Sequence, residues 1–245
     1  MGDDLRVATL NVRHGLADDG ANSWSFRQAE ALNFLRSLEA DVLLIQEALD
    51  FQVDALREQF AGWQDFGVGR IDGKRDGEFA LILVRPEMKV EDSGNFWFSE
   101  TPDVPGSMAW ETACERICTW VQLDGLKIYN LHLDHESAWA RDESVRLLLS
   151  RIGEAPTPTI VGGDFNCLPD SSPIQTMLLA GFAEAGLDTD STFHGWGLVD
   201  GGKIDYLFAR NLRTTSYQRQ EAWFEGLWIS DHHAVIAEFQ SNNPQ

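Results

Sequence analysis

The chain has 245 residues, enough for one large domain with a substantial core, and we predict a single domain spanning residues 1–245. Its formal net charge of −20 comes from 39 acidic against 19 basic residues, and no apolar run approaches the ~20 residues that a membrane span needs. These features argue against a membrane protein and against a protein that grips long duplex nucleic acid, because counterion release from a basic surface drives such binding.

The first half of the chain alternates predicted strands with predicted helices. Ser25 and Gln28 have the spacing of a capping box and predict the start of a helix, with Phe26 among the apolar residues that recur at helical spacing. The glycine-rich segment 67–77 predicts a loop. The strands predicted here are Leu5–Leu10, Asp41–Glu47 and Phe79–Val84, and the second predicted helix is Gln52–Phe60.

The second half continues this alternation after a long segment, Glu91–Glu115. That segment is aromatic and irregular and contains prolines, so we predict an ordered loop that has a function. The alternation of element types predicts a layered α/β protein. The elements predicted here are a hairpin of Ile117–Leu123 and Leu126–Leu131, helices over 137–151 and 173–179, and strands Thr159–Val161, Lys203–Ala209 and His233–Phe239.

Five apolar runs lead into residues of the kind that hydrolytic metal sites use: Asn11, Glu47, His132, Asp164 and Asp231. A buried strand with such an end presents the polar group at the edge of its sheet, so neighbouring strands would gather the three carboxylates into one pocket. Carboxylates packed that closely repel, and the arrangement requires a cation between them or raised pKa values. Mg²⁺ needs only one or two carboxylates besides water and substrate phosphate. The pattern therefore predicts a divalent-metal phosphoester hydrolase.

Two further positions suit proton transfer. Asp164 and Asn166 are two residues apart after a strand, so in an extended chain they face the same way and can hold a water and a phosphate oxygen together. His232 follows Asp231, and a nearby carboxylate fixes the tautomer of a histidine and raises its pKa. Each residue alone has a structural alternative: a capped turn for Asp164, a helix cap for Glu47 and a structural histidine for His232.

Zinc is the less favoured metal. No His-Glu-x-x-His motif or similar spacing occurs, and the three cysteines, an odd number, fit no zinc-binding pattern. We interpret Cys114, Cys118 and Cys167 as reduced structural thiols. Asp134 and His135 are interpreted as neighbours of the site rather than as metal ligands.

Six short motifs, in order along the whole chain, resemble the endonuclease/exonuclease/phosphatase superfamily, and other motifs resemble a bacterial subgroup of it with little assigned function. The resemblance implies an α/β four-layer sandwich, in which two mainly antiparallel β-sheets pack face to face with helices on the outside. It also implies that the site lies at one end of the sandwich. The six motifs are Thr9-Leu10-Asn11, Gln46-Glu47, Asn130-Leu131-His132, Gly163-Asp164-Phe165-Asn166, Ile204-Asp205-Tyr206 and Ser230-Asp231-His232.

The resemblance implies a metal site and a substrate pocket. Glu47 would bind Mg²⁺, with Mn²⁺ as a possible substitute, together with Asn11 and Asp231. Arg116 and Glu78 match subgroup positions that would line the substrate pocket, with a surface ion pair as the alternative.

The resemblance also implies five catalytic residues. Asp164, with Asn166, would position or deprotonate the attacking water, and Asp205 would orient His232. His132 and His232 would stabilise the charged transition state.

The leading hypothesis is a nuclease or phosphodiesterase in which water attacks phosphorus in line. The alternative is a phosphomonoesterase for a small soluble phosphate such as a sugar, inositol or nucleotide phosphate, and a third hypothesis is an inactive binding module on the same scaffold. We expect a phosphate-ester substrate, which for a nucleic acid means a short or single strand, because few cations lie near the motifs. Those cations are Arg13, His14, Arg70, Arg75, Arg116 and Lys203.

We expect a cytoplasmic protein, because the acidic first residues lead straight into a strand and no positively charged segment precedes an apolar stretch there. No obligate protein partner is predicted. The acidic composition is interpreted as an aid to solubility or an adaptation to a salty cytoplasm.

Overall fold

Residues 4–186 and 190–241 are described by a computed structural model, in which strands and helices alternate along the chain. The helices are α1 (Trp24–Ser37), α2 (Asp50–Gln59), α3 (Ala138–Ile152) and α4 (Ser172–Leu179). The strands are β1 (Leu5–Asn11), β2 (Val42–Ala48), β3 (Gln64–Phe66), β4 (Phe79–Val84), β5 (Val90–Trp97), β6 (Ile117–Leu123), β7 (Leu126–His132), β8 (Thr159–Asp164), β9 (Ala183–Glu184), β10 (Asp205–Arg210), β11 (Leu212–Gln220), β12 (Trp223–Phe224), β13 (Leu227–Trp228) and β14 (Ala234–Ser241).

Twelve of these strands form two six-stranded sheets, in the orders β11-β14-β1-β2-β4-β3 and β5-β6-β7-β8-β10-β9. Each sheet contains one parallel pair, β1 with β2 and β7 with β8, and its other neighbouring strands are antiparallel. Helices α1 and α3 lie in the crossovers of the two parallel pairs, because parallel neighbours cannot be joined by a tight turn. The prediction of two mainly antiparallel sheets is confirmed.

Three apolar layers hold the sheets and helices together. Leu44 of β2 and Ile128 of β7 belong to a buried cluster between the two sheets. On the outer face of the first sheet, Leu81 of β4 belongs to a cluster with Phe34 of α1, and α3 and α4 cover the second sheet in the same way. Burying each such side chain contributes about 1.5–3 kcal/mol. The order helix, sheet, sheet, helix confirms the four-layer sandwich.

The four strands of the two parallel pairs bring their last residues to the same end of the sandwich. Asn11, the last residue of β1, donates to Asp164, the last residue of β8, at 3.0 Å. His132 at the end of β7 lies 3.5 Å from the same carboxylate. Asn11 also donates to Glu47 near the end of β2. The topology therefore gathers four polar side chains that are far apart in the sequence.

A buried pair of amides joins the two sheets behind that end. Gln46 Nε2 donates to Thr9 Oγ1 at 3.0 Å and to Asn130 Oδ1 at 2.6 Å. Asn130 Nδ2 in turn donates to the carbonyl oxygens of Ile45 and Leu81, at 3.0 and 2.8 Å. Because unpaired buried polar groups are costly, these bonds fix how the second sheet sits on the first.

The start of α1 differs from the prediction. The helix begins at Trp24 after Ser23, so Ser25 is not its N-cap. Phe26 is exposed, whereas Arg27 on the adjacent face is buried and donates to the carbonyl oxygens of Val12 and Ile229. The buried face of α1 therefore includes the charged residue Arg27, although the sequence predicted only apolar residues there.

Two long strands, of 8 and 9 residues, lie where none was predicted. Strand β5 occupies the first part of the segment 91–115, and β11 follows β10 directly. Both are edge strands with mostly polar, exposed or half-exposed residues, so their sequences contain no apolar run.

Within the described part of the chain, every helix is too short or too polar to pass through a lipid bilayer.

Candidate active site

A cavity of about 640 Å³ lies at this end of the sandwich, a size in the ~300–1,000 Å³ range of small-molecule sites. Of the ten residues that the sequence singled out, eight line it, and Asn11 and Asp205 are fully buried and hydrogen-bonded to residues of its wall. The eight are Glu47, Glu78, Arg116, His132, Asp164, Asn166, Asp231 and His232.

Asn11 joins two carboxylates of the cavity wall. Its Nδ2 donates to Glu47 Oε1 at 2.8 Å and to Asp164 Oδ2 at 3.0 Å. Its Oδ1 accepts the backbone N–H of Arg13 at 2.9 Å, and the backbone N–H of His14 donates to Glu47 Oε2 at 2.8 Å. In this arrangement Asn11 holds the carboxylates through its amide nitrogen, while the backbone occupies its oxygen.

Three residues of the cavity wall have left-handed backbone: Arg13 at φ 63°, Glu47 at φ 62° and Asn166 at φ 48°. Such conformations cost about 1–3 kcal/mol in residues other than glycine and cluster at functional sites. Glu47 also lies in a β-bulge, because the pairing of β2 with β4 shifts between Ile45 and Ala48. Bulges redirect side chains, and here Glu47 is turned into the cavity.

His232 lies between two carboxylates. Its Nδ1 is hydrogen-bonded to Asp205 Oδ2 at 2.9 Å, and its Nε2 lies 3.8 Å from Asp164 Oδ2. Burial alone would lower the pKa of His232, but the charge and hydrogen bond of Asp205 raise it to about 10. Although Asp164, Asp205 and His232 have the composition and spacing of a metal site, with ligand atoms within 4.8 Å of one another, the imidazolium already supplies the positive charge between these two carboxylates.

His132 has the opposite protonation state. Burial, followed by the nearby charges of Arg116 and Arg70, lowers its pKa well below the ordinary value. Its Nε2 accepts from Asn166 Nδ2 at 3.1 Å, which assigns the proton to Nδ1, 3.9 Å from Glu78 Oε2. His132 is therefore a neutral hydrogen-bond donor.

The carboxylates of the cavity respond differently to burial. Burial, and then the charge of Asp205, raises the pKa of Asp164 to about 7, and burial raises the pKa of Asp231. Burial acts in the same direction on Glu47, but the hydrogen bond from Asn11 and then the charge of His232 bring its pKa below the ordinary value. Burial therefore outweighs the nearby positive charges at Asp164 and Asp231, but not at Glu47.

The donor atoms fit a hard divalent cation. Glu47, Asp164 and Asp231 all present carboxylates to the cavity, and carboxylate oxygens are the ligands that Mg²⁺ and Mn²⁺ prefer. Arg13 Nη1, 3.6 Å from Asp231 Oδ2, supplies part of the positive charge that these groups lack. A divalent cation would supply the rest.

Cys114, Asp134 and His135 form a second group with ligand atoms within 4.8 Å. Asp134 already accepts three backbone N–H groups and the Nε of Arg116. Its lone pairs are thus occupied, and the adjacent guanidinium disfavours a cation. These contacts agree with the interpretation of Asp134 and His135 as neighbours of the site, and the cysteines are free thiols.

Arg70, Glu78 and Arg116 form one side of the cavity, called the charged wall below. Arg70 Nη1 donates to Glu78 Oε2 at 2.5 Å, whereas Arg116 contacts Asp134 through Nε at 3.4 Å and His135 through Nη2 at 2.7 Å. Arg116 is only 3% exposed, so a surface ion pair does not describe it. Burial, and then the charge of Glu47, raises the pKa of Glu78 to about 7.

The sequence indicated six cationic residues near the motifs, of which only Arg116 was assigned a role, in the substrate pocket. Arg13, His14, Arg70 and Arg116 line the cavity. Arg75 instead pairs with two aspartates of α2, and Lys203 is buried against Glu184. Gln46 and Asn130 entered the sequence argument only as parts of motifs, and no residue pattern indicated their bonds across the two sheets.

Comparisons with known proteins agree with this geometry. A sequence model described as "Endonuclease/Exonuclease/phosphatase family" matches residues 8–232. The crystal structure of the endonuclease/exonuclease/phosphatase from Bacteroides vulgatus is 30% identical, with a TM-score of 0.91, and the match covers 98% of this chain and 100% of that one. A mannosyl-6-phosphatase from Bacteroides thetaiotaomicron VPI-5482 is 27% identical, with a TM-score of 0.87 and coverage of 96% and 99%. D. rerio TDP2 complexed with single-strand DNA product, 20% identical with a TM-score of 0.77 and coverage of 97% and 99%, is similar in fold alone.

Proposed function

The chain belongs to the endonuclease/exonuclease/phosphatase family of phosphoester hydrolases, and from this premise we propose that it hydrolyses a small phosphomonoester with a divalent metal ion. The observation that carries the proposal is the cavity of about 640 Å³, which is lined by carboxylates of the kind that divalent cations prefer and by the charged wall.

In this proposal Glu47 and Asp231 hold Mg²⁺ or Mn²⁺, and Asn11 keeps Glu47 in place. The cation would neutralise phosphate charge and make the attacking water more acidic. This assignment is supported by the raised pKa of Asp231 and by the left-handed, bulged backbone that directs Glu47 into the cavity.

Asp164 accepts the proton of the attacking water, and Asn166 helps to position that water. The backbone N–H of Asn166 donates to Asp164 Oδ1 at 2.9 Å, which leaves Oδ2 on the side of the two histidines. The imidazolium of His232, held by Asp205, stabilises the charge that develops on the phosphoryl oxygens. His132 contributes a neutral hydrogen bond on the side of the charged wall.

Three observations favour a monoester over the nuclease or phosphodiesterase activity that the sequence favoured. The cavity has the volume of a small-molecule site. The carboxylate of Glu78 would repel the next phosphate of a polynucleotide. The mannosyl-6-phosphatase is 27% identical over 96% of this chain. Phosphodiester hydrolysis stays as the second candidate, supported by the fold shared with TDP2.

A substrate and metal matrix tests the proposal. Chelator-treated protein is assayed with Mg²⁺, Mn²⁺, Zn²⁺ or no metal on a hexose 6-phosphate, 4-nitrophenyl phosphate, bis(4-nitrophenyl) phosphate and a single-stranded oligonucleotide. We expect phosphate release with Mg²⁺ or Mn²⁺, and a kcat/KM for the monoesters at least about tenfold above that for the diesters. Diester cleavage at an equal or higher kcat/KM would contradict the preference.

The metal assignment is tested without catalysis. Titration calorimetry with Mn²⁺ should show uptake by the wild type and at least about tenfold weaker binding by Glu47→Gln, which loses a carboxylate ligand. Glu58→Gln, an exposed change on α2, serves as the matched control and should bind like the wild type. Uptake that is unchanged in Glu47→Gln would reject the assigned site.

A further inference from the structure

The charged wall contains hydrogen-bonding groups that are not satisfied within the protein. Arg116 Nη1 and Arg70 Nε are buried and have no hydrogen-bond partner among the described residues. Glu78 Oε2 is bound by Arg70, but Glu78 Oε1 lies 4.0 Å from His14 Nε2, too far for a hydrogen bond. Buried polar groups are nearly always paired with protein, water or ligand. Because Arg70, Glu78 and Arg116 all line the cavity, a molecule bound there can supply partners for the two arginines and for the half-buried carboxylate of Glu78.

The wall lies one side chain away from the proposed phosphate position. His132 stands between the two, with Nε2 at 3.5 Å from Asp164 Oδ2 and Nδ1 at 3.9 Å from Glu78 Oε2. A phosphate placed beside Asp164 would therefore direct the alcohol part of the ester towards Glu78 and Arg116. Only the imidazole ring of His132 separates the proposed phosphate position from the charged wall, and this gap suits an alcohol made of a small ring or a short carbon chain.

The charges of the wall are mixed, which indicates the chemistry of its partner. Arg70 pairs with Glu78, and Arg116 pairs with Asp134, so each guanidinium has a carboxylate beside it. A second phosphate would be attracted by the arginines and repelled by the carboxylates. A hydroxyl both donates and accepts, and it can bind the carboxylate and the guanidinium at the same time.

From these contacts we infer that the charged wall binds hydroxyl groups of the leaving alcohol, so that the substrate is the phosphomonoester of a sugar or another polyol. The inference rests on the proposed function and extends it to the non-phosphate part of the substrate. Arg116 donates to the hydroxyls and Glu78 accepts from them. Arg70 positions Glu78, and Asp134 positions Arg116.

Two monoesters with the same kind of leaving group test the inference. A hexose 6-phosphate and cyclohexylmethyl phosphate both release a primary alcohol, but only the first carries ring hydroxyls. We expect the wild type to prefer the hexose ester by at least about a hundredfold in kcat/KM, because a site built to bind hydroxyls rejects an analogue that lacks them.

Two variants test whether the charged wall causes the preference for the hexose ester. Arg116→Lys keeps the positive charge but loses the planar donor group, and Glu78→Gln replaces an acceptor oxygen by a donor. In each we expect the ratio of the two kcat/KM values to fall at least about tenfold. Arg146→Lys changes an exposed arginine that pairs with Glu143 on α3, and it should keep the wild-type ratio. Melting temperatures are compared for all variants, and Glu78→Gln provides the test should the buried Arg116→Lys substitution prevent folding.

Several outcomes would overturn the inference. Near-equal kcat/KM for the two esters in the wild type, or an unaltered ratio in the folded variants, would reject the hydroxyl subsite while leaving phosphomonoester hydrolysis intact. If a hexose 1,6-bisphosphate were hydrolysed faster than the 6-phosphate, the charged wall would bind an anion rather than hydroxyl groups. Failure to hydrolyse any monoester with Mg²⁺ or Mn²⁺ would remove the proposed function, and the inference with it.

Discussion

His132 and His232, two of the histidines that line the cavity, differ in charge because their neighbours differ. His232 lies between Asp205 and Asp164 and is protonated, whereas His132 lies near the guanidinium of Arg116 and is neutral. When the surroundings of two titratable groups shift their pKa values in opposite directions, the two groups take different acid–base roles. Replacing one histidine should therefore not have the same effect as replacing the other.

Asp205→Asn tests the origin of the charge on His232. The carboxylate of Asp205 is the main group that raises the pKa of His232 from 6.5 to about 10. Without it, His232 loses its proton at lower pH, so the alkaline limb of the kcat–pH profile should shift down by at least about one pH unit, and kcat near pH 8 should fall by roughly 10²-fold or more. Steady-state kinetics between pH 5 and 10 measure both effects. An alkaline limb at the wild-type pH would contradict the assigned role.

Asp164→Asn tests whether burial of the Asp164 carboxylate costs stability in the metal-free protein. Folding raises the pKa of Asp164 from 3.8 to about 7, so the folded state binds this proton more tightly and loses stability as the pH rises between those values. In metal-free protein at pH 8, the variant should therefore be more stable than the wild type by at least about 1 kcal/mol, or roughly 2–4 °C in Tm.

The same comparison at pH 4 is the control, because a protonated carboxyl resembles an amide and the two melting temperatures should be close. Added Mn²⁺ should raise the Tm of the wild type at pH 8 more than that of the variant. A metal-free wild type that is the more stable protein at pH 8 would show that the positive charges near Asp164 outweigh the effect of its burial.

At the scale of the elements, Gly163 allows β8 to lie close to β7 just before the two strands end at Asp164 and His132. Its φ is 134°, and a Cβ added there would lie 2.0 Å from the carbonyl oxygen of Leu131. Neither backbone can move away without displacing His132 or Asp164, the last residues of the two strands.

Gly163→Ala should consequently destabilise the protein by about 3 kcal/mol or more and lower activity by at least about 10²-fold. Gly125→Ala is the matched control: this turn glycine has a φ of 78° and open space around it, so it should cost only about 1–2 kcal/mol of backbone strain and leave activity unchanged. Chemical denaturation and kinetics of both variants measure the difference. Equal losses would mean that the close approach to β7 is unimportant.

Elements could be predicted from the sequence where both faces of a strand are buried. All six residues of β4 are buried, and its predicted bounds, Phe79–Val84, are the observed ones. The edge strands β5 and β11 were not predicted, because a strand with a solvent-exposed face and one free side has no apolar run. Their existence depends on partners elsewhere in the chain, β6 for β5 and β14 for β11.

The membership of the site was easier to predict than its geometry. Strand ends and motifs indicated the ten residues, and eight of them line one cavity. The bulge at Glu47 and the orientation of Asn11 could not be predicted, because they depend on hydrogen bonds between distant segments. Arg70 lies in a glycine-rich loop without regular periodicity, so only the folded chain shows that it contacts Glu78.

At the scale of the whole molecule, the net charge of −20 limits contact with polyanions. Four of the six cations named from the sequence line the cavity, and the other two pair with acidic residues elsewhere. A long nucleic acid would meet a surface of its own sign beyond the cavity.

The binding constant for a single-stranded oligonucleotide should therefore depend only weakly on the salt concentration. Each neutralised phosphate contributes a slope of about −0.7 to the plot of log K against log[salt] for single strands, and contact with one or two phosphates predicts a slope no steeper than about −1.5. Binding measured between 50 and 300 mM salt gives the slope. A value of about −4 or steeper would reveal an extended basic surface and support the nuclease hypothesis.

The position of β14 determines when an active protein can exist during its synthesis. This strand pairs with both β1 and β11, and the two residues next to its start, His232 and His233, follow directly on Asp231. A ribosome adds residues at roughly 5–20 per second, so a nascent chain carries β1 for many seconds with one edge unpaired. Until β14 emerges, that edge is open to chaperones or to other chains. Because Asp231 and His232 lie just before β14, the cavity wall is complete only after this strand has been synthesised and has paired with β1.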